Sequence, residues 1–340
     1  MLPHISRLSY DQPINKQCKS MEQDLFSVWD YAEMVHCEPR TRAYAAALKR
    51  HITPGCTVID VGAGTGFFSL LACKYGAGHV IAIEPNDGIR LARENAKRNG
   101  YEDRITFFKG FSQEFEPKVT ADVIISDLRG VLPLYKMHIP AIIDMRDRLL
   151  SDEGVLLPHK DTIQVALARE SEIYKIYDSV VRTNEYGIDL TASYQPLINS
   201  PRAFFASPEH LTTKPQIFTE LDYRKITSPD ISKVLDFTVN KEGLSHGIIM
   251  WFDAQIDDGL KFSNAPDQPD RQYRSQFLPF EKPISLSASD RVTIELSAKL
   301  IAGNYVWSWR TEVFEGAAMV PKTVFKQSTF FAGLFKTSDA

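Results

Sequence analysis

Cysteine is scarce: Cys18, Cys37, Cys56 and Cys73 are the four in 340 residues, with no C-x-x-C pair and no histidine pair at zinc spacing. That argues against a disulfide scaffold and against structural zinc, so no metal is expected. Long apolar runs are missing as well, because no stretch reaches the ~18 apolar residues that would span a bilayer. Neither charge sign is in excess. Thirty-nine Lys+Arg against 43 Asp+Glu leave −4, and no basic cluster marks a nucleic-acid footprint. The opening MLPHISRLSYDQPINKQCKS lacks the basic start and apolar stretch of a secretory leader, so a reducing, cytoplasmic location with no membrane partner is the expectation. There is no internal repeat and no low-complexity segment.

What is present is an ordinary globular composition, 44% hydrophobic and 24% charged, in a chain whose length suggests two domains. Residues 1–20 mix polar and turn-forming types without periodicity. From Met21 to about Arg50 the apolar spacing is helical, and Pro39 predicts a break into two helices. Strand and helix signals then alternate strictly: strands at Thr57–Val61, His79–Ile83, Ile105–Phe108, Asp122–Ser126 and from Val155, helices at Phe67–Tyr75, Asp87–Asn99 and Met137–Leu150. Alternation of this kind predicts an α/β domain over 21–157, a Rossmann-like parallel sheet covered on both faces. After Pro158 short β-rich runs dominate, at 162–168, 217–223, 234–239, 247–255, 292–300 and 305–313. The second domain, 158–340, is therefore read as an antiparallel barrel or sandwich, interrupted at 171–206 by an insertion that is helical at first. Trp251, Trp307 and Trp309 are read as barrel packing, and the aromatic segment Phe325–Phe335 as an edge packed on the barrel or a partner.

The most informative stretch is Val58–Gly66, VIDVGAGTG, just before a helix. A glycine-rich turn alone is equally a tight strand-to-helix connection. A dinucleotide fingerprint needs G-x-G-x-x-G, but Phe67 stands where its third glycine would sit after Gly62 and Gly64, and Gly66 comes one residue early. Asp60 ends the first strand, where a carboxylate can accept from a cofactor ammonium. Glu84 ends the second, where an acid can hold both ribose hydroxyls. This spacing suits a nucleoside without a pyrophosphate, S-adenosylmethionine (SAM), and VIDVGAGTG followed by VIAIE resembles the first two motifs of class I SAM-dependent methyltransferases.

The flanking segments resemble the protein arginine methyltransferases over most of the chain. Glu33-Met34-Val35-His36-Cys37-Glu38-Pro39-Arg40-Thr41 is similar to that family's "EEM…D-x-x-R-T" helix, which implies Arg40 on the SAM carboxylate and Met34 near the sulfonium. Taken alone, Arg40 would serve as well in a helix cap or an ion pair. Gly110-Phe111-Ser112-Gln113-Glu114 resembles the adenine-binding segment, with Ser112 and Gln113 at the contacting positions; a polar surface turn would look the same. Tyr186-Gly187-Ile188-Asp189-Leu190 looks like the family's "YGFDM" inside a dimerisation arm, which implies a homodimer through residues 171–206.

The resemblance breaks at the acceptor. The family's "SExMGxxLxxE" hairpin supplies two glutamates that hold a guanidinium. Here Asp127 replaces the first, Lys136 the second, and Arg129 stands where methionine is usual. A unit charge pair at 4 Å is worth about 4 kcal/mol at an effective dielectric near 20, so reversing one sign should repel peptidyl arginine. The family's "THW" loop corresponds to Arg271-Gln272-Tyr273, where Tyr273 can keep an aromatic wall but Gln272 cannot titrate as histidine does. Asp127 and Lys136 are therefore the candidate catalytic residues, and Arg129, Gln272 and Tyr273 the acceptor pocket. Asp127 either orients and deprotonates an acceptor or pairs with Arg129 or Lys136 to hold the hairpin.

Three functions fit. The first is a SAM-dependent methyltransferase of this architecture whose acceptor is an anionic small molecule or amino acid, drawn by a basic rim at Arg129 and Lys136. The second is a true arginine methyltransferase with acids from elsewhere, Glu33 among them. The third is a noncatalytic SAM-binding partner of an active enzyme.

Overall fold

The structure is a computed structural model that describes residues 27–332 apart from 182–183, 240–241 and 270. The segment 1–20 expected to be irregular, residues 21–26 of the stretch expected to be helical, and Leu334 and Phe335 lie outside the described residues.

Two helices precede the first sheet. Helix α1 (Val28–His36) starts where Ser27 and Asp30 form a reciprocal capping box. Helix α2 (Glu38–His51) carries Pro39 in its first turn, where a missing N–H costs nothing. The chain therefore breaks at Cys37, and the proline starts the second helix instead of ending the first. Next come β1 (Thr57–Val61), α3 (Phe67–Tyr75), β2 (His79–Ile83), α4 (Gly88–Asn99), β3 (Ile105–Phe108), β4 (Ala121–Ser126), α5 (His138–Leu149) and β5 (Leu150–Leu157). The five strands form one parallel sheet in the order β3-β2-β1-β4-β5. Strands β1 and β2 are buried after their first residue, as a sheet covered on both faces requires. Strand β5 begins five residues before the expected Val155, because Leu150 already pairs with Ala121 and the polar Ser151–Glu153 segment bulges out of register before pairing resumes at Val155.

A cis Leu157–Pro158 bond leads into the second domain. Its elements are β6 (Lys160–Ala168), α6 (Ser171–Val181), α7 (Tyr194–Ile198), β7 (Arg202–Phe204), β8 (Gln216–Asp222), β9 (Ile231–Thr238), β10 (Gly243–Asp257), β11 (Leu260–Ser263), β12 (Ser275–Leu286), β13 (Arg291–Ile301), β14 (Asn304–Phe314) and β15 (Thr323–Ser328). They build two antiparallel sheets, β7-β12-β10-β6-β8 with β11 on the side of β10, and β15-β14-β13-β9. The fold is thus a Rossmann-like α/β domain followed by an antiparallel β domain, the expected class. The sequence signals did not reveal β12, because Pro279 and Pro283 argue against a strand; Pro279 is accommodated opposite Gly247, next to a register shift. Trp251, Trp307 and Trp309 are buried, and Phe325 joins the core while Phe330 and Phe331 stay exposed.

Helix α2 joins the domains. Near its start Arg40 reaches Asp127, beyond the end of β4. In its last turn Arg50 Nη1 and His51 Nε2 lie 2.6 and 2.9 Å from Asp257 Oδ2, at the end of β10.

Gly62, Gly64 and Gly66 all have φ between +53 and +85°, the left-handed region that only glycine enters at little cost. A Cβ on Gly66 would sit 2.9 Å from Ala92 Cβ and 3.2 Å from its Cα, so α3 can leave the turn this close to α4 only with glycine there. Gly66→Ala should therefore cost about 1–3 kcal/mol of stability through overpacking and strain, read as a lower urea midpoint at unchanged slope.

Candidate active site

The carboxyl ends of β1, β2 and β4 gather the candidate residues, as an open parallel sheet dictates. Asp60 is 2% exposed, and its Oδ2 accepts from Ser69 Oγ at 2.6 Å. Burial pushes its carboxyl up to about 6, a rise that the bond from Ser69 only partly offsets. Glu84 is also buried and pushed up by desolvation; it accepts from the backbone N–H of Gly64 at 2.8 Å and of Asn86 at 2.9 Å. The glycine turn lies between two covers. The ring of Tyr31 from α1 packs on Gly64 and Gly88, and Leu128 packs on Gly62. Ser112 is buried, with its carbonyl held by Arg148, while Gln113 is exposed beside it. Half-buried Met34 turns its carbonyl to Arg40 Nη1 and to Thr41 Oγ1.

Arg40 and Asp127 meet directly, Nε to Oδ2 at 2.5 Å. Asp127 is held by two further donors: Tyr273 OH reaches Oδ2 at 2.8 Å and Arg129 Nη1 reaches Oδ1 at 2.7 Å. Burial alone would raise this carboxyl, but Arg40 and Arg129 outweigh it and hold it well below the usual carboxylate range. Tyr273 is pushed the other way, upward, by burial and by the adjacent anion.

The structure corrects the basic rim. The Arg129 side chain has no exposed surface, and its Nε and Nη2 form a bidentate pair with Asp161 at 2.6 and 2.8 Å. Its Nη1 also donates to Tyr44 OH, and Phe252 and Phe262 flank the guanidinium at 5.6 and 5.7 Å. Tyr223 OH completes the shell by donating to Asp161. Arg129 thus has two carboxylates within reach and none of its charge faces a pocket. Lys136 sits elsewhere, in a left-handed conformation at φ +40° with its Nζ 5.5 Å from the Tyr135 ring centre. It lines a cavity of about 250 Å³ with Tyr135, Gln276, Tyr305 and Trp307, to which Asp127, Arg129 and Tyr273 do not contribute. Gln272 is half-buried and lies in sequence between Tyr273 and Arg271, whose Nη1 is committed to Ala206 O at 2.6 Å.

Sequence reasoning missed Tyr44, Asp161, Tyr223 and His138. Tyr44 carried a signal, since it follows Arg40 by four residues and shares its helix face. Asp161 carried none, because it lies 32 residues from Arg129 and across the domain boundary. His138 is buried with Nδ1 2.7 Å from Pro133 O, which fixes that nitrogen as the N–H donor, and burial pushes its ring down to about 4.

Comparisons with known proteins converge. The family described as ribosomal protein L11 methyltransferase (PrmA) matches residues 38–169, and the arginine methyltransferase oligomerization subdomain matches 163–305. Rice protein arginine N-methyltransferase 1 is 28% identical over 271 residues, 77% of this chain and 70% of that protein. Its Saccharomyces cerevisiae namesake is 27% identical over 291 residues, 81% of this chain and 83% of that one. Among solved structures, Arabidopsis thaliana protein arginine methyltransferase 10 superposes with a TM-score of 0.76 at 22% identity, covering 89% of this chain and 97% of that one. The Trypanosoma brucei PRMT1 enzyme–prozyme heterotetrameric complex with AdoHcy gives 0.77 at 24% identity, covering 88% and 97%.

Removing one partner of the buried fork would strand a charge. Asp161→Asn should therefore destabilise the protein by about 3–5 kcal/mol, measured by urea unfolding, whereas the exposed pair Arg42–Glu38 should cost under about 1 kcal/mol on the same assay.

Proposed function

The chain is a SAM-dependent methyltransferase of protein-arginine-methyltransferase-like architecture, and from that premise we propose that its acceptor is not peptidyl arginine. One observation carries the reading: the only hairpin carboxylate, Asp127, is enclosed by Arg40, Arg129 and Tyr273 and presents no free edge to a guanidinium. At the position of the second acid this chain has Lys136, which lines a separate cavity, so the hairpin offers a guanidinium no second anion.

The buried carboxylates fit the cofactor. SAM supplies an electrophilic methyl group; what this chain does is hold and align it. Asp60, a buried acid with Ser69 as its one side-chain hydrogen-bond partner among the described residues, takes the ammonium. Glu84 uses two acceptor positions on backbone N–H groups and keeps others for the ribose hydroxyls. Arg40 commits Nε and Nη1 to Asp127 and Met34, which leaves Nη2 for the carboxylate. By the family resemblance, Met34 would face the sulfonium, and Ser112 and Gln113 would hold the adenine. Tyr31 packs on Gly64 and Gly88, so α1 covers the glycine turn.

The arm over 171–206 forms a homodimer contact. Tyr186, Ile188 and Leu190 on it are 79, 59 and 37% exposed, an apolar patch that a second copy would cover.

Three measurements test this. With methyl-labelled SAM, arginine-rich peptides should take up no label above background while SAM binds by calorimetry; robust arginine methylation sinks the acceptor reading. SAM affinity should fall as pH drops below about 6, where Asp60 becomes neutral while the cofactor ammonium stays charged, and Asp60→Asn should weaken binding and flatten that dependence. Light scattering should give a dimer that Ile188→Glu converts to monomer; an unchanged mass would remove the arm from the interface.

A further inference from the structure

We propose that the junction between the two domains holds a divalent transition-metal ion of the zinc type, ligated by His159, Asp257 and Asp258. The inference stands apart from the acceptor reading, because none of these residues belongs to the site at the ends of β1, β2 and β4.

The backbone brings the three ligands together. His159 follows Pro158 at the crossover between the domains, and its N–H donates to Gln255 O at 3.0 Å and to Ile256 O at 3.2 Å. That sets it beside the end of β10, where Asp257 closes the strand and Asp258 begins the turn into β11. One ligand atom from each of the three residues lies within 4.8 Å of the other two. His159 Nε2 stands 3.6 Å from Asp257 Oδ1, too far for a hydrogen bond. Zinc bound at about 2.0–2.2 Å in a tetrahedral shell spaces its nitrogen and oxygen ligands by about 3.4 Å, so this gap suits two ligands of one ion. Asp258 is exposed and closes the remaining distance by rotating its side chain, against a contact from Gln255 Nε2 of only 3.4 Å. His159 Nε2 is also a buried nitrogen with no hydrogen-bond partner among the described residues. Buried polar atoms are as a rule matched by a partner, and an ion between the imidazole and the two carboxylates supplies one.

The surroundings orient the ligands. Arg50 Nη1 and His51 Nε2 both sit on Asp257 Oδ2, at 2.6 and 2.9 Å, which leaves Oδ1 turned toward His159. Outer partners of this kind fix the direction of a ligating carboxylate. Arg50 also donates to Asp258 O at 2.8 Å and so steadies the turn that carries the third ligand. With the imidazoles neutral, two carboxylates against this one guanidinium leave a net negative charge for a cation. Arg224 is the other cation that bears on His159, and its Nη2 donates to Gly154 O at 3.3 Å. An imidazole nitrogen in the set favours zinc-type ions over Mg2+ and Ca2+, which take oxygen ligands. Three protein ligands leave a fourth position for water. The ligands come from segments far apart in the chain and include no cysteine, which is why motif spacing carried no sign of a metal. The ion would tie the crossover to the β10–β11 turn and, through Asp257, to the last turn of α2.

The test titrates the chelator-stripped full chain with Zn2+ by calorimetry, beside His159→Gln and Asp258→Asn. The unaltered chain should bind one ion, and each substitution should weaken that binding at least about tenfold. Co2+ used as a coloured probe should give a visible absorption band that His159→Gln abolishes. Saturating Zn2+ should raise the urea midpoint of the unaltered chain and leave the midpoint of either variant in place, since an ion stabilises only the state that binds it. Asp258 is exposed, so Asp258→Asn keeps the test decisive if His159→Gln fails to fold. No heat of binding at free Zn2+ up to about 100 μM, a concentration at which even a weak site of about 10 μM is mostly filled, overturns the inference. Full affinity retained by either folded variant places the ion elsewhere and overturns it too. Mg2+ or Ca2+ binding as tightly as Zn2+ shows that the imidazole takes no part, and overturns it as well.

Discussion

A guanidinium with no exposed surface has to be answered by fixed anions, and in this protein Arg129 is answered from both domains. Asp127 comes from its own hairpin, two residues away, and Asp161 from the first strand of the β domain. The rest of the site follows from that. Tyr44 and Tyr223 are drawn in to satisfy the remaining donor and acceptor positions, and Phe252 and Phe262 seal the faces of the cation. A buried pair of this kind adds little net stability compared with apolar packing, but neither partner can be removed without leaving a charge behind. Its effect is on specificity of arrangement: the hairpin and the β domain have one relative position in which the charges close.

The same arrangement decides what Asp127 can do. With one arginine it would be an ordinary ion pair open to a ligand on its other edge. With two arginines and a phenol it becomes a hub, whereas Asp60 and Glu84, at the ends of β1 and β2, are buried with few partners and raised pKa values. The whole-chain balance of −4 gives no hint of this, since the cluster of Arg40, Asp127, Arg129 and Asp161 contributes zero to it.

Legibility from sequence tracked the range of the interaction. The glycine turn, β1 and β2 were readable because each depends on neighbours within a few residues: VIDVGAGTG encodes its own backbone, and the strand-end acids follow from the pattern. The motif singled out Arg40, and its partners in the fold are Asp127 and the Met34 carbonyl, the ion-pair role that the sequence had left open. Arg129 was noticed but misplaced, because a sequence shows that an arginine is present and not whether an aspartate 32 residues on will turn it inward. Strand β12 was missed for the opposite reason. Its prolines carry a strong local signal, and the pairing of Pro279 with Gly247 outweighs it.

Helix α2 is fastened at both ends, by Arg40 to the hairpin and by Arg50 with His51 to Asp257 of the β domain. Those anchor points stand ten residues apart, about 15 Å along an α-helix, a length that side-chain motion cannot stretch. The helix is in this sense a gauge rod. It fixes how far the hairpin that follows β4 stands from the end of β10.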